Sequence, residues 1–232
     1  MAGGRISTGV LGLDVMLHGG LIPGRVYLVK GSPGTGKTTL AMHFAMAGVA
    51  NGESVLYITL EEPAENIRED FGRMGFDVYH DDFTLIDATP TTEHYVLVED
   101  FFETFAKNLN KLTESIKEQF RVRRYSRVVV DPITMLKLAT KDEMEYRRAF
   151  LTFVKSMMRL KVTVLITSEL ERTDIEEYLV SGVIEMKLLE RNGKLTRVIK
   201  VTKFRGSGFD NVIRPYEITE NGMVVYPDRT VP

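Results

Sequence analysis

The run Gly31-Ser32-Pro33-Gly34-Thr35-Gly36-Lys37-Thr38 constrains this chain more than any other stretch. Its spacing is that of a phosphate-binding loop, G-x-x-x-x-G-K-[ST]. The apolar segment Val26-Tyr27-Leu28-Val29 precedes it, and a helix-compatible segment opening near Lys37 comes after it. Glycines let such a loop curl until its backbone N–H groups face an anion. The helix behind it turns unpaired N–H groups and the positive end of its dipole toward the same point. The pattern predicts that Ser32, Pro33, Gly34, Thr35, Gly36, Lys37, Thr38 and Thr39 surround the phosphates of a nucleoside triphosphate. Lys37 is expected to reach the β- and γ-phosphates, and the Thr38 hydroxyl to hold Mg²⁺.

A strand, loop and helix of this kind belong to a parallel sheet with crossover helices, and the rest of the chain supplies one. Apolar runs at 55–60, 83–87, 127–131 and 162–168 read as buried strands. Between them lie apolar positions at helical spacing. These are Leu40, Ala41, Phe44, Ala45 and Ala47; then Ile67, Phe71 and Met74 behind Pro63. A long helix is expected through Leu97, Phe101, Phe105, Leu109, Leu112, Ile116 and Phe120, and another through Phe150, Val154 and Met157. Residues 11–17 predict one short helix that packs over the sheet edge just before the loop strand. Beyond Gly182 the pattern changes to paired strands, with Asn192-Gly193 and Asn221-Gly222 as hairpin turns. The expectation is one domain over residues 1–232: an α/β fold with a mainly parallel central sheet flanked by helices, ending in antiparallel hairpins.

Composition works by exclusion. The absence of cysteine removes disulfides, thiolate zinc sites and a cysteine nucleophile. A formal net charge of −2 gives no global attraction to nucleic acid or to an anionic membrane surface. His18, His43, His80 and His94 show no ligand spacing. No apolar run approaches the ~20 residues needed to cross a bilayer. The N-terminus lacks a signal-peptide core, so a cytoplasmic location is expected.

Ligands of an open parallel sheet bind beyond the carboxyl ends of its strands. Asp131, after Val128-Val129-Val130, has the form of a Walker B carboxylate that holds Mg²⁺; the alternative is a cap for the next turn. Glu61 and Glu62 end the strand after the loop helix, where a carboxylate can polarise the water attacking a γ-phosphate. Glu62 lies further past the strand end and is the favoured water-positioning residue. The alternative for Glu62-Pro63 is a helix start, with the acid favouring the helix N-terminus. A third run ends Thr167-Ser168-Glu169, whose hydroxyls either sense the γ-phosphate or close the strand. The segment Arg121-Val122-Arg123-Arg124-Tyr125-Ser126-Arg127 reads as a solvated loop, or as phosphate contacts of a nucleic-acid-binding accessory ATPase.

These marks together resemble the KaiC-like ATPases of the RecA superfamily, over nearly the whole chain. Ser7-Thr8-Gly9, Leu13-Asp14 and Gly19-Gly20 match before the phosphate loop. Glu61-Glu62, Val128-Val129-Val130-Asp131 and Lys203-Phe204-Arg205-Gly206-Ser207 match after it. The resemblance implies a RecA-like fold, ATP and Mg²⁺ as ligands, and ATP hydrolysis in a homo-oligomeric, hexameric ring with ATP between subunits. It implies catalytic carboxylates at Glu61 and Glu62. It also implies that Lys203 and Arg205, with Phe204 between them and Ser207 after them, meet the neighbouring subunit's nucleotide, and that Thr219 and Glu220 meet the base or ribose. Lys203 and Arg205 alternate along a strand, so they should share one face while Phe204 takes the other. Phe209 departs from the histidine that the clock members carry. The chain has one such domain and no identifiable phosphoacceptor segment, so the resemblance is not extended to autophosphorylation or timekeeping. Nucleic acid is not the favoured partner, and no membrane partner is implied.

Overall fold

In a computed structural model, the structure describes residues 4–89, 105–138, 142–169, 173–191 and 193–231. Its centre is a nine-stranded sheet in the order β3-β2-β4-β5-β1-β6-β7-β8-β9. The parallel part comprises β1 (Val26–Gly31), β2 (Val55–Thr59), β3 (Phe83–Asp87), β4 (Arg127–Asp131) and β5 (Thr163–Ser168), joined by β6 (Gly182–Arg191) beside β1. The antiparallel part adds β7 (Lys194–Phe204), β8 (Arg214–Thr219) and β9 (Gly222–Val225). The turn closing β8 onto β9 is Glu220-Asn221, one residue before the expected Asn221-Gly222, because Gly222 already pairs with Thr219; Arg191 pairs with Lys194 across the β6–β7 turn. Asn192 of that turn lies outside the described residues.

Residue alternation along the strands decides the layers. Tyr27, Val29, Tyr57 and Val129 face one side, against α1 (Leu11–Met16), α2 (Lys37–Ala50) and α3 (Ala64–Arg73). Val26, Leu28, Leu56, Ile58, Val128 and Val130 face the other. There they meet α4 (Phe105–Val122), α5 (Thr134–Leu138), α6 (Glu143–Leu160) and α7 (Asp174–Leu179). Both faces are covered, so the strands are apolar without a polar alternation. Leu97 and Phe101 of the expected long helix lie outside the described residues.

Two local expectations change. The short helix α1 does not cover a sheet edge before β1, because β1 has β5 on one side and β6 on the other. It packs instead on β9, so closely that a Cβ on Gly12 would meet the Val225 carbonyl oxygen at 2.1 Å. The Ser7-Thr8-Gly9 and Asp14 motif makes that segment's own scaffold: Asp14 accepts from Ser7 Oγ at 2.5 Å and from Thr8 N and Oγ1 at 2.7 Å.

The arginine-rich segment before β4 is also turned inward at two of its four arginines. Arg127 is 0% exposed, donates to Glu53 through Nε at 2.7 Å, and donates to the Ser7 and Phe44 carbonyls at 2.8 Å. Arg123 donates to Ser54 Oγ at 3.0 Å and pairs with Asp82. Tyr125 is buried, its hydroxyl 3.2 Å from Thr84 Oγ1. Arg123, Tyr125 and Arg127 fasten β4, while Arg121 and Arg124 stay exposed.

Candidate active site

The carboxyl ends of β1, β2, β4 and β5 converge on one cleft of about 380 Å³. It is lined by Lys37, Thr38, Thr59, Glu61, Glu62, Pro63, Asp131, Pro132 and Glu169. Among the described residues, Lys37 is the sole lysine or arginine in that lining.

The loop reaches this cleft because its glycines permit it. Gly36 caps α2 in a left-handed conformation, φ +85°, and a Cβ there would lie 2.4 Å from Ile218 Cδ1. Gly31 lies so close to β6 that a Cβ would meet the Met186 carbonyl oxygen at 2.3 Å. Thr35 is buried; its hydroxyl donates to the Ser32 carbonyl at 2.8 Å, and its own carbonyl accepts from the Tyr216 hydroxyl. Ser32, Pro33 and Gly34 are exposed, whereas Lys37 and Thr39 are buried. Lys37 Nζ lies 3.1 Å from both the Ser32 carbonyl and Glu169 Oε1, with 4% of its side chain exposed. Curled backbone, a converging helix N-terminus and an ammonium on the loop are the donor set an anionic phosphate chain requires.

Asp131 is 4% exposed and sits between two hydroxyl donors. Tyr57 Oη donates to Oδ2 at 2.6 Å from β2, and Thr167 Oγ1 donates to Oδ1 from β5. Burial pushes the carboxyl above its ordinary range, while the Thr167, Tyr57 and Thr38 hydroxyls and the Lys37 charge pull it back. The Thr38 hydroxyl beside a buried carboxylate is a hard oxygen set, the type that suits Mg²⁺. Thr167 is thus spent on Asp131, and buried Ser168 lies 3.5 Å from Thr134 Oγ1. The strand end's reach into the cleft belongs to Glu169.

Both paired glutamates line the cleft. Burial raises the Glu61 carboxyl, Glu169 and Asp131 raise it further, and Lys37 opposes them. Burial likewise raises Glu62, reinforced by Asp70, Asp131 and Glu61. A helix does start behind Glu62-Pro63, with Pro63 at its N-cap, and the Ala64 N–H that opens α3 donates to Asp87 Oδ2 at 2.8 Å, from the end of β3. The Glu62 carbonyl accepts from Thr59 Oγ1 at 2.5 Å.

Lys203 and Arg205 stand elsewhere. Val183 pairs with Lys203 and Ile184 with Val201, so Thr202 is an extra residue that reverses the facing of the residues after it. Lys203 Nζ then donates to the Glu177 and Tyr178 carbonyls, and Arg205 Nη2 to Tyr178 O at 2.8 Å, at the end of α7. The Phe204 ring turns the other way into the core and stacks on Tyr27 at 5.8 Å. Arg205 N is bonded to Ser181 O, and Ser181 N to Val26 O, which places Arg205 level with the start of β1. The phosphate loop begins five residues further along β1, about 16 Å away. Ser207 Oγ accepts from Arg5 at 2.6 Å. Thr219 closes the β8–β9 turn, with Glu220 exposed beside it, on the hairpin whose Ile218 and Met223 pack at Gly36.

Sequence reasoning missed Tyr57, which reads there as one apolar residue of a strand. It also missed Tyr216, a buttress of the loop from β8, since nothing local pairs either hydroxyl with its partner.

Comparison with known proteins agrees with this geometry. Residues 6–230 match the family described as "ATPase: KaiC". A "UPF0273 protein" of Thermotoga maritima is 31% identical over 234 residues, covering 96% of each chain. "Circadian clock oscillator protein KaiC 1" of Synechocystis is 30% identical, over 96% of this chain and 44% of that protein. Among solved structures, the KaiC-like protein PH0186 of Pyrococcus horikoshii superposes with a TM-score of 0.80 at 29% identity. That match covers 96% of this chain and 99% of that one. The family match over residues 6–230, with a 31% identical relative covered over 96% of each chain, makes this chain a member of the KaiC family of ATPases.

Proposed function

We propose that this chain hydrolyses ATP in a Mg²⁺-dependent manner, as a hexameric ring whose sites lie between subunits and whose turnover drives a conformational or regulatory output. The observation that carries the reading is the charge balance of the cleft, where among the described residues one ammonium, Lys37, faces the carboxylates Glu61, Glu62, Asp131 and Glu169. Phosphoryl transfer needs more positive charge than that, often from an arginine of a second subunit. Lys203 and Arg205 share one face, and they lie too far along the sheet to serve their own chain's loop. They suit a neighbour's site.

Thr38 and Asp131 are the residues that would hold Mg²⁺, which neutralises charge on the β- and γ-phosphate oxygens when bound. The loop N–H groups and Lys37 bind and orient the phosphates. A glutamate orients water for attack at the γ-phosphorus and takes its proton as the bond to ADP breaks. Lys37 acts on the charge of Glu61, whereas Asp70 acts on Glu62, so Glu61 is the better placed for this role. That reverses the order expected from strand position. The packing of their hairpin at Gly36 supports a contact of Thr219 and Glu220 with the base or ribose, and Ser207 accompanies the two cations across the boundary.

Mixing experiments test this. Lys37→Ala and Arg205→Ala are each expected to be inactive alone, and to regain part of the parent activity when mixed, because some interfaces then pair an intact loop with an intact arginine. Full activity in a sample shown by light scattering to be monomeric refutes the reading. So does the absence of recovery in rings shown to be mixed.

A further inference from the structure

Tyr57 sits in the middle of a strand whose five residues are all buried. Packing there asks only for a large apolar ring, and a phenylalanine would supply one. A buried phenol hydroxyl without a partner is destabilising, so the hydroxyl of Tyr57 calls for an explanation. Its ring lies in the core on the α2 side, edge-on to Phe83 at 6.0 Å and 64°. Its Oη is 2.6 Å from Asp131 Oδ2.

The register explains the reach. Tyr57 pairs with Val129 and Thr59 with Asp131, so Tyr57 lies one pleat below Asp131 on the same face and extends along the sheet to it. Val130 pairs with Ile166, which sets Thr167 beside Asp131 from the other neighbouring strand. One hydroxyl from β2 therefore holds Oδ2 and one from β5 holds Oδ1. The terminal torsion of an aspartate is otherwise broad and nearly two-fold. Two donors on separate oxygens fix it, leaving the remaining lone pairs for the Thr38 side.

We infer that Tyr57 is a positioning residue of the ATP site: its hydroxyl, with that of Thr167, holds the Asp131 carboxylate in the orientation that receives Mg²⁺. The inference rests on reading Asp131 as a metal-holding residue. Partners of this kind, behind a metal ligand, commonly change metal affinity by about tenfold or more when removed.

The test is Tyr57→Phe, which keeps the ring, beside Tyr125→Phe as a control. Tyr125 is also buried, on the other face of the sheet, with its hydroxyl 3.2 Å from Thr84. Mn²⁺ binding is read by electron paramagnetic resonance in the presence of a non-hydrolysable ATP analogue. Analogue binding in EDTA and the thermal midpoint are measured alongside. Tyr57→Phe is expected to weaken Mn²⁺ binding about tenfold and to leave analogue binding in EDTA unchanged. Tyr125→Phe is expected to leave both unchanged. Thr167→Val should reproduce the Tyr57→Phe loss and Thr167→Ser should restore the parent value, which keeps the test open should Tyr57→Phe fold poorly. Parent-like Mn²⁺ binding in Tyr57→Phe, with only a lower thermal midpoint, overturns the inference and leaves the ATPase reading standing. Failure of the parent chain itself to bind Mn²⁺ with the analogue overturns that reading, and this inference with it.

Discussion

Glu169→Gln is expected to tighten triphosphate binding, although the residue lines the cleft. The Lys37 ammonium is held by Glu169 Oε1 and by the Ser32 carbonyl, each at 3.1 Å. A triphosphate competes with Glu169 for the same ammonium. Two unit charges 3.1 Å apart attract by roughly 5 kcal/mol at an effective dielectric of 20. Desolvation of the buried ammonium, and screening of a carboxylate that is 29% exposed, offset most of that. A net of about 1.5 kcal/mol is left, between the values for surface and buried pairs. Glutamine keeps the size and an oxygen acceptor but not the charge. The dissociation constant for a fluorescent ATP analogue, titrated without divalent metal, should therefore fall about tenfold. The same substitution in a Lys37→Ala background should gain much less, because the competitor has lost its ammonium; the four proteins form a double-mutant cycle. Unchanged or weaker binding in Glu169→Gln refutes the competition. A gain of equal size in both backgrounds refutes it too, tracing the effect to the general negative charge of the cleft.

Glu61→Gln and Glu62→Gln should keep analogue affinity near the parent value, while Glu61→Gln lowers turnover by about a hundredfold or more; parent-rate turnover in the double variant refutes a catalytic role for the pair. Burial raises both carboxyls, and the working form is deprotonated. Activity should therefore fall with decreasing pH through a midpoint above the ordinary glutamate value, and a pH–rate profile with its acid limb at or below that value contradicts the assignment. Arg127→Met leaves Glu53 without its partner at the start of β4, the end of the strand away from the cleft. It should cost about 2–3 kcal/mol in denaturant unfolding, less than a fully buried pair because Glu53 is 26% exposed, with analogue affinity preserved, and a cost under about 1 kcal/mol would show that Arg127 is not a fastening.

Much of this protein is written locally. The strands over Val55–Thr59 and Arg127–Asp131 fall where the apolar runs place them, because burial on both faces demands continuous apolar residues. The phosphate loop is equally legible, since its function depends on glycines and a lysine within eight consecutive residues. The sharing of one face by Lys203 and Arg205 is legible too, but not the face itself: the bulge at Thr202 sets it, through pairing with a strand twenty residues earlier. What the sequence left open depends on which strands are neighbours. The order β2-β4-β5-β1 brings Tyr57 and Thr167 to opposite sides of Asp131 and carries Glu169 to Lys37. The same packing turns Arg127 from a basic surface into a buried bolt, and it brings Asp87 to the first N–H of α3. A side chain's hydroxyl or charge announces that it needs a partner; only the tertiary structure, by setting strand order and register, decides which one it meets.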